Sequence, residues 1–279
     1  MAERAIGFLA LENRYIVEGR LIAEGSIHVG SGFGSAETDA TVVHDAGGYF
    51  IPGSSLRGVM RSTLERIMQR VRPGKTCVTF EKDANSDCLT ANGGYEEFEK
   101  QHPNERDLAR ALVASGLCDI CKLFGSPYLA SKLRIEDARR KAGRPLPTVR
   151  HGVGIDRDTE SAREHIKFDF EALEPGEEGH DYSFRLQLEN ATQDDFALLG
   201  ILLSEMSENG ITVGGKKSAG LGRVKLAIGN VTYFDDIKEF LAGGCIPRPY
   251  VGDFLKNCLL PATTSYLFPE KKNAAHAAE

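Results

Sequence analysis

No stretch of this 279-residue sequence is apolar for long enough to cross a bilayer. The longest apolar runs, around 201–203 and 259–260, fall far short of the roughly 20 residues that a spanning helix needs. No membrane partner is therefore expected. The N-terminal MAERAIGFLALENRY carries charges and lacks the long apolar core of a secretory leader, so a cytoplasmic, reducing setting is expected. An excess of positive charge is lacking as well. The formal net charge is −6, with 34 Lys and Arg against 40 Asp and Glu, which argues against a protein that coats nucleic acid indiscriminately. There is no GxxxxGK[ST] phosphate loop, and the third glycine of GSGFGS (30–35) comes too early for a dinucleotide fingerprint. No internal repeat is evident. The length and a 41% hydrophobic content suit one elaborated domain with a sizeable core.

The charge that is present is patterned. Residues 139–150 hold five basic groups and no acid, and residues 216–225 hold four basic groups and no acid. Acidic residues gather instead at 171–181 and 193–195. A local basic groove on an acidic protein is thus compatible with the sequence.

The most informative segment is IPGSSLRGVMRS (51–62). It reads as an apolar strand end, a tight Pro-Gly turn, a serine cap at Ser54 and the first turns of a helix. Leu56, Val59, Met60, Leu64, Ile67 and Val71 form the buried stripe of that helix. Arg57 and Arg61 lie four residues apart on another face, and Arg66 and Arg70 repeat the spacing. A capped helix start with paired arginines can hold a phosphate backbone, with Arg57 the strongest contact. Arg61 has an alternative partner in Glu65, one turn along.

Elsewhere the periodicity is that of a mixed fold. Residues 14–29 alternate, with Tyr15, Val17, Leu21, Ala23, Ile27 and Val29 on one side and Glu18, Arg20, Glu24, Ser26 and His28 on the other, as in one long half-buried strand or two in line. A short strand at 49–51 follows the turn at 45–48. Residues 104–115 read as helix, 132–138 as strand, and 139–165 as a polar segment able to form a protruding hairpin. In 180–190, Tyr182, Phe184, Leu186 and Leu188 point one way. A helix after Thr192 carries Phe196, Leu199, Leu202, Leu203 and Met206, and GGKKSAGLGR (214–223) leads into a last strand. The last forty residues are less regular and end in a frayed tail, PEKKNAAHAAE. Strand, helix, insertion, strands, helix, strand is the order of a ferredoxin-like split β-α-β core. The expected fold class is α+β, with the core at 14–72, 128–149 and 180–233, an insertion at 73–127, a hairpin at about 150–170 and an extension at 234–279.

Two further features bear chemistry. In the glycine-rich loop, Gly214 and Gly215 let backbone N–H groups approach phosphates while Lys216, Lys217 and Arg223 add charge; the plain alternative is a hairpin turn with solvated lysines. Of the six cysteines, Cys118-x-x-Cys121 makes a metal knuckle, with Cys77 and Cys88 in the same insertion. Four thiolates give a closed Zn²⁺ site that would staple a segment poor in apolar residues. The ten-residue gap between Cys77 and Cys88 is unusual, and His102 is an alternative ligand. Cys245 and Cys258 read as buried thiols.

IHVGSG (27–32), TDATVV (38–43), IPGSSLRGVMRS (51–62), CKLFGSP (121–127) and GGKKSAGLGRVKL (214–226), in that order, resemble the RAMP superfamily. More narrowly, the set is similar to the repeated backbone subunit of type III CRISPR effector complexes of the Csm and Cmr kind, over about residues 14–233. The resemblance implies a core like that of RNA-recognition motifs and a thumb hairpin that wedges into the guide–target duplex. It implies as partners CRISPR guide RNA, complementary target RNA, further copies or related subunits in a filament, and the other effector subunits. His28, Ser54, Ser55, Arg57 and Arg61 map to the guide-binding groove, together with the glycine-rich loop. Asp39 matches the aspartate that cuts target RNA with a divalent metal, expected to be Mg²⁺; Glu37 and Asp45 are nearby competitors. An attack by the 2′-hydroxyl would restrict cleavage to RNA. Three other functions are compatible: an architectural subunit that cuts nothing, a guide-processing ribonuclease, and a zinc enzyme. The second lacks a visible catalytic histidine and lysine arrangement, and the third lacks an open metal position.

Overall fold

The alternation that begins at Arg14 produces a ten-residue strand, β1 (Arg14–Ala23), in the computed structural model, which describes residues 10–35, 38–73, 76–78, 88–140, 146–175 and 181–269. Next come β2 (His44–Asp45), β3 (Gly48–Ile51) and the long helix α1 (Gly53–Val71). The insertion holds α2 (Leu89–Asn92), α3 (Tyr95–Gln101), α4 (Glu105–Ala111) with a π-helical turn at Leu112–Gly116, and α5 (Asp119–Phe124). After it run β4 (Leu133–Ile135), β5 (Ala138–Arg139), β6 (Thr148–Ile155), β7 (Ala162–Ala172) and β8 (Asp181–Glu189). Then follow α6 (Gln193–Glu208), β9 (Ile211–Thr212) and β10 (Arg223–Phe234). The C-terminal part adds α7 (Ile237–Ala242), β11 (Arg248–Pro249), a π-helical turn at Leu255–Leu259 and α8 (Leu260–Leu267).

The main sheet runs β11-β10-β1-β8-β4, with β9 beside β10, and its pairings are antiparallel. Along the chain, α1 lies between β1 and β4, and α6 between β8 and β10. That is the split β-α-β order of a ferredoxin-like core. Tyr182, Phe184, Leu186 and Leu188 of β8 turn to one face, as their period of two requires, and meet Val17 and Leu21 of β1. Leu56, Met60 and Leu64 of α1 and Leu199, Leu202 and Leu203 of α6 close that face into the main core. The other face carries charge pairs such as Arg20–Asp181 at 2.7 Å, and at its end Phe234 is buried against Phe240 of α7, ring centroids 4.4 Å apart. A capping box starts α6: the Thr192 hydroxyl accepts from the Asp195 amide while the Asp195 carboxylate accepts from the Thr192 amide.

Several local expectations change. The strand ends at Ala23, and Ile27 returns only as an isolated bridge to Leu173. Ser26 and His28, placed by parity on the polar side, are buried because that segment leaves the sheet. The cap of α1 is not Ser54. Pro52 occupies the cap position, Ser54 is exposed in the first turn, and the Gly53 amide donates to Asp137 Oδ1 at 2.8 Å. A carboxylate from the β4–β5 segment thus serves the helix start. The buried stripe of α1 ends in Met68, one helical step beyond Leu64, and Val71 is exposed. In the C-terminal part, α8 packs on α6 and β11 extends the sheet, with Phe254 and Leu259 buried. Cys245 is exposed, in a left-handed backbone conformation after α7, and Cys258 is half-buried. The predicted tail from residue 270 onward lies outside the described residues.

Leu203 is fully buried between helix and sheet. Leu203→Ala is expected to cost about 2–5 kcal/mol, whereas the same truncation at the exposed Val251 should stay within about 0.5 kcal/mol. Denaturant midpoints of the two variants check this.

Candidate nucleic-acid interface and cysteine cluster

The end of β1 lies beside the beginnings of β8 and β10, since Ile22 pairs with Asp181 and Ala23 with Val224. The loop leaving β1 and the segments entering β8 and β10 therefore meet at one end of the sheet. The segment entering β8 is the β6–β7 hairpin, whose root is tied down by reciprocal backbone bonds between Ile27 and Leu173, 3.0 and 2.8 Å. Arg150 reinforces the root, donating to Ser26 Oγ at 2.7 Å and to Glu174 Oε1 at 2.8 Å.

The far edge of β7 takes up the loop after β1. That loop folds back on itself through a bridge between Gly30 and Val42 and a bond from Ser31 N to Thr41 O at 2.9 Å. Ala40 bridges Phe170 in parallel, and Glu171 N donates to Ala40 O at 2.9 Å. One residue earlier, Asp39 Oδ2 accepts the Asp169 amide at 2.9 Å. The Asp39 side chain is exposed, with its carboxylate held on the strand edge. Of its competitors, Asp45 is engaged by both terminal nitrogens of Arg139, at 3.0 and 2.7 Å, and Glu37 lies outside the described residues.

The glycine-rich loop docks on the same junction. Gly215 N donates to His28 O and Gly222 N to Ser26 O, both at 2.8 Å. Gly214 has φ +77°, and a Cβ there would stand 2.1 Å from the His28 carbonyl oxygen, so only glycine fits. His28 is 6% exposed. Its Nδ1 must be the donor to the Glu171 carbonyl, at 2.6 Å, and its ring sits edge-on to Phe170, centroids 5.5 Å apart. Lys216 Nζ lies 4.4 Å from the centre of the Phe168 ring and 5.0 Å from that of Phe170, a cation–π contact that pins the loop to the hairpin. Lys217 is exposed beside it. Arg223 stands at the sheet rim, donating to Glu24 Oε2 at 2.6 Å and Asn209 O at 2.7 Å.

Arg57 and Arg61 of α1 face elsewhere, toward the end of α5, and Arg61 reaches the cysteine cluster. Arg61 donates to Glu65 Oε1 at 2.7 Å, to Gly125 O at 2.8 Å and to Cys121 Sγ at 3.2 Å. Burial opposes its charge, but Glu65 and the Cys121 sulfur outweigh that and hold its pKa above the ordinary value. Its guanidinium nitrogens are thus engaged inside the protein, against the expectation of a groove contact. Arg57 Nη2 donates to the Phe124 carbonyl, and burial and then the neighbouring Arg61 hold its pKa below the ordinary value. Arg57 still lines an open cavity of about 450 Å³ with Thr90, Phe124, Ser126 and Pro127. Ser55, half-buried, follows the exposed Ser54.

The sulfur atoms of Cys77, Cys88, Cys118 and Cys121 all lie within 4.8 Å of one another. Cys77 Sγ is 3.5 Å from Cys118 Sγ and 3.4 Å from Cys121 Sγ, against roughly 3.8 Å along the edge of a tetrahedron with Zn–S bonds of about 2.3 Å. N–H groups already point at the sulfurs, from the Cys118 backbone to Cys88 at 3.3 Å and from Arg61 to Cys121, as ligand thiolates require. Contact with Cys118 and then Cys77 pulls Cys121 down to about 7, while neighbouring sulfurs push Cys77 and Cys118 up. Four thiolates this close need a cation to ionise together. The donor set therefore fits a metal such as zinc. His102 is not brought into the cluster; its Nδ1 donates to Phe98 O at 2.9 Å. Among the described residues no other group of three or more His, Cys, Asp or Glu side chains is placed to hold a metal.

The RAMP superfamily matches residues 20–225. The chain belongs to the RAMP superfamily. No curated protein matches it. Within this RAMP chain, His28, Gly214, Gly215 and Lys216 converge with Asp39 on the β6–β7 hairpin, whereas Arg57 meets the Phe124 carbonyl and Arg61 the cysteine cluster. Three residues of the junction escaped sequence reasoning: His151, Asp169 and Phe168. The signal was there, since AREHIKFDFEA alternates as a strand and sets Phe168 and Phe170 on one face and Asp169 on the other.

Gly214→Ala is expected to destabilise the RAMP chain by about 1–3 kcal/mol through left-handed strain, and to open residues 213–222 to limited proteolysis. Arg61→Ala removes one partner of a buried pair and should cost about 3–5 kcal/mol in denaturant unfolding.

Proposed function

We propose that this chain is a backbone subunit of a type III CRISPR effector complex of the Csm or Cmr kind, one elaborated domain that holds guide RNA and cleaves paired target RNA at Asp39. One observation carries the reading. Asp39 presents an exposed carboxylate, fixed at 2.9 Å by the Asp169 amide, where a long hairpin and a lysine-bearing glycine loop meet in a RAMP chain. The β6–β7 hairpin serves as the thumb. The loop at 213–222, with Lys217 exposed, meets the guide through its phosphates and so reads no sequence. Partners are the guide, the complementary target, further copies or related subunits, and the remaining effector subunits.

At the cleavage point Asp39 orients the 2′-hydroxyl of the target and accepts its proton. The magnesium expected from the resemblance has little to hold it. Mg²⁺ prefers six oxygen ligands in octahedral geometry, and Asp39 belongs to no cluster of three or more donor side chains among the described residues. These residues do not make a magnesium site of the protein's own, which favours the architectural subunit as the second reading. The cysteine cluster is read as structural zinc: four thiolates leave no open position, so the metal holds the insertion together.

Asp39→Ala is expected to abolish target cleavage, measured with divalent metal present, while complex assembly and guide binding persist. Undiminished cutting by that variant would sink the catalytic assignment; an unmodified complex that does not cut leaves the architectural one. Elemental analysis should find about one zinc per chain, as a closed four-cysteine site holds, and Cys118→Ser should lower it.

A further inference from the structure

Strand β7 sets a second titratable pair beside Asp39. The Asp169 and Glu171 amides point at the Asp39 loop, so Asp169 faces His151 on β6 as a non-hydrogen-bonded pair, in which side chains approach closely. His151 Nδ1 lies 2.6 Å from Asp169 Oδ1. The imidazole is 62% exposed at its side chain, with Asp169 less so at 24%. Asp39, Asp169 and His151 therefore stand in one row across three neighbouring segments, about 4.8 Å apart from backbone to backbone. Asp169 links the two ends: its amide holds the Asp39 carboxylate, and its carboxylate holds the imidazole. With Nδ1 donating to Asp169, the opposite nitrogen, Nε2, is left for a substrate.

We propose that His151 is the general acid of target cleavage and that Asp169 is its positioning residue, an inference that rests on cleavage at Asp39. In this step the target 2′-oxygen attacks the adjacent phosphorus as its proton passes to the Asp39 carboxylate. The bond from phosphorus to the 5′-oxygen breaks, and that oxygen leaves with the electron pair and takes a proton from His151 Nε2. The products are a 2′,3′-cyclic phosphate and a 5′-hydroxyl end. Asp39 then releases its proton to water and His151 regains one, so no other reactant is consumed. Acid and base stand on opposite sides of Asp169, as a displacement with entering and leaving oxygens in line requires.

The test uses the complete effector complex with its guide and two targets of one sequence. One target has the ordinary linkage at the scissile position; the other has sulfur in place of the 5′-oxygen. A thiol ionises near ~8.5, so the sulfur leaves without a proton. His151→Gln should slow cleavage of the ordinary target by about 10²–10⁴-fold, the usual worth of a general acid, and the sulfur-linked target by no more than a few-fold. Asp169→Asn should show the same selectivity with a smaller loss, and it decides the matter if the His151 variant does not assemble. Equal slowing of both targets, or no slowing, overturns the proposal. Selective slowing together with undiminished cutting by Asp39→Ala would instead remove Asp39 as the base and leave His151 in place. An unmodified complex that cuts neither target overturns both.

Discussion

The interaction on which the rest depends is the pairing of β1 along both its edges. Its ten residues meet β10 on one side, and nine of them meet β8 on the other. Three segments far apart in the chain are thereby locked in register, and the end of β1 is brought level with the beginnings of β8 and β10. Everything at the proposed RNA site follows from that alignment. The loop with His28 and Asp39 leaves β1 there, the β6–β7 hairpin enters β8 there, and the glycine loop enters β10 there. They share a small cluster of Phe170, Ala172 and Leu221 with Ala40 against it, so the site is held together by contact among three connections.

The same physics explains why the basic groups divide. A cation near a carbonyl-rich, thiol-rich turn is drawn inward, because sulfur and carbonyl oxygen both accept hydrogen bonds. Arg61 meets this condition at the turn after α5 and becomes a bolt between α1 and the cysteine cluster. Lys216 is drawn instead onto the rings of Phe168 and Phe170, an electrostatic attraction that leaves its position set by the hairpin. The cysteine cluster and the placement of α1 are linked through Arg61, and the placement of the glycine loop and of the hairpin through Lys216. The net acidity of the chain is no obstacle to this scheme, since only a few cations, each held in place, are needed at the junction.

Regular periodicity made the core legible. In β8 every second residue from Tyr182 to Leu188 is apolar and buried, and in α6 the Thr192 cap and the stripe below it appear where the sequence pattern places them. The knuckle Cys118-x-x-Cys121 was equally plain, because ligand spacing is local. What could not be read depends on distant partners. The amide of Gly53 is met by Asp137, so Ser54 had no capping to do. His28 obeys the alternation of β1 but lies past its end, where the hairpin root covers it. The pairing of His151 with Asp169 required the register of a hairpin whose bulge lies near its tip, between Val153 and Ile155.

The hairpin itself supplies the last constraint on function. Ile166 and Phe168 on one of its faces, and Val149 and Val153 beside His151 on the other, are all large, apolar and exposed. Gly152 and Gly154 are the reason one face is flat: a Cβ on either would stand 2.2 Å from the Phe168 ring or 2.6 Å from the Ile166 side chain, so the glycines let both side chains lie down on the strand. Large apolar side chains left exposed on a hairpin face mark a place that something covers. A phosphate backbone would not, for it seeks charge. The faces of bases would, since stacking on apolar and aromatic side chains is worth about 1–3 kcal/mol per base whatever the sequence. On the proposed function, phosphates would go to the glycine loop and bases to the hairpin, and a backbone bent away from its bases would expose a single linkage to the row Asp39, Asp169 and His151.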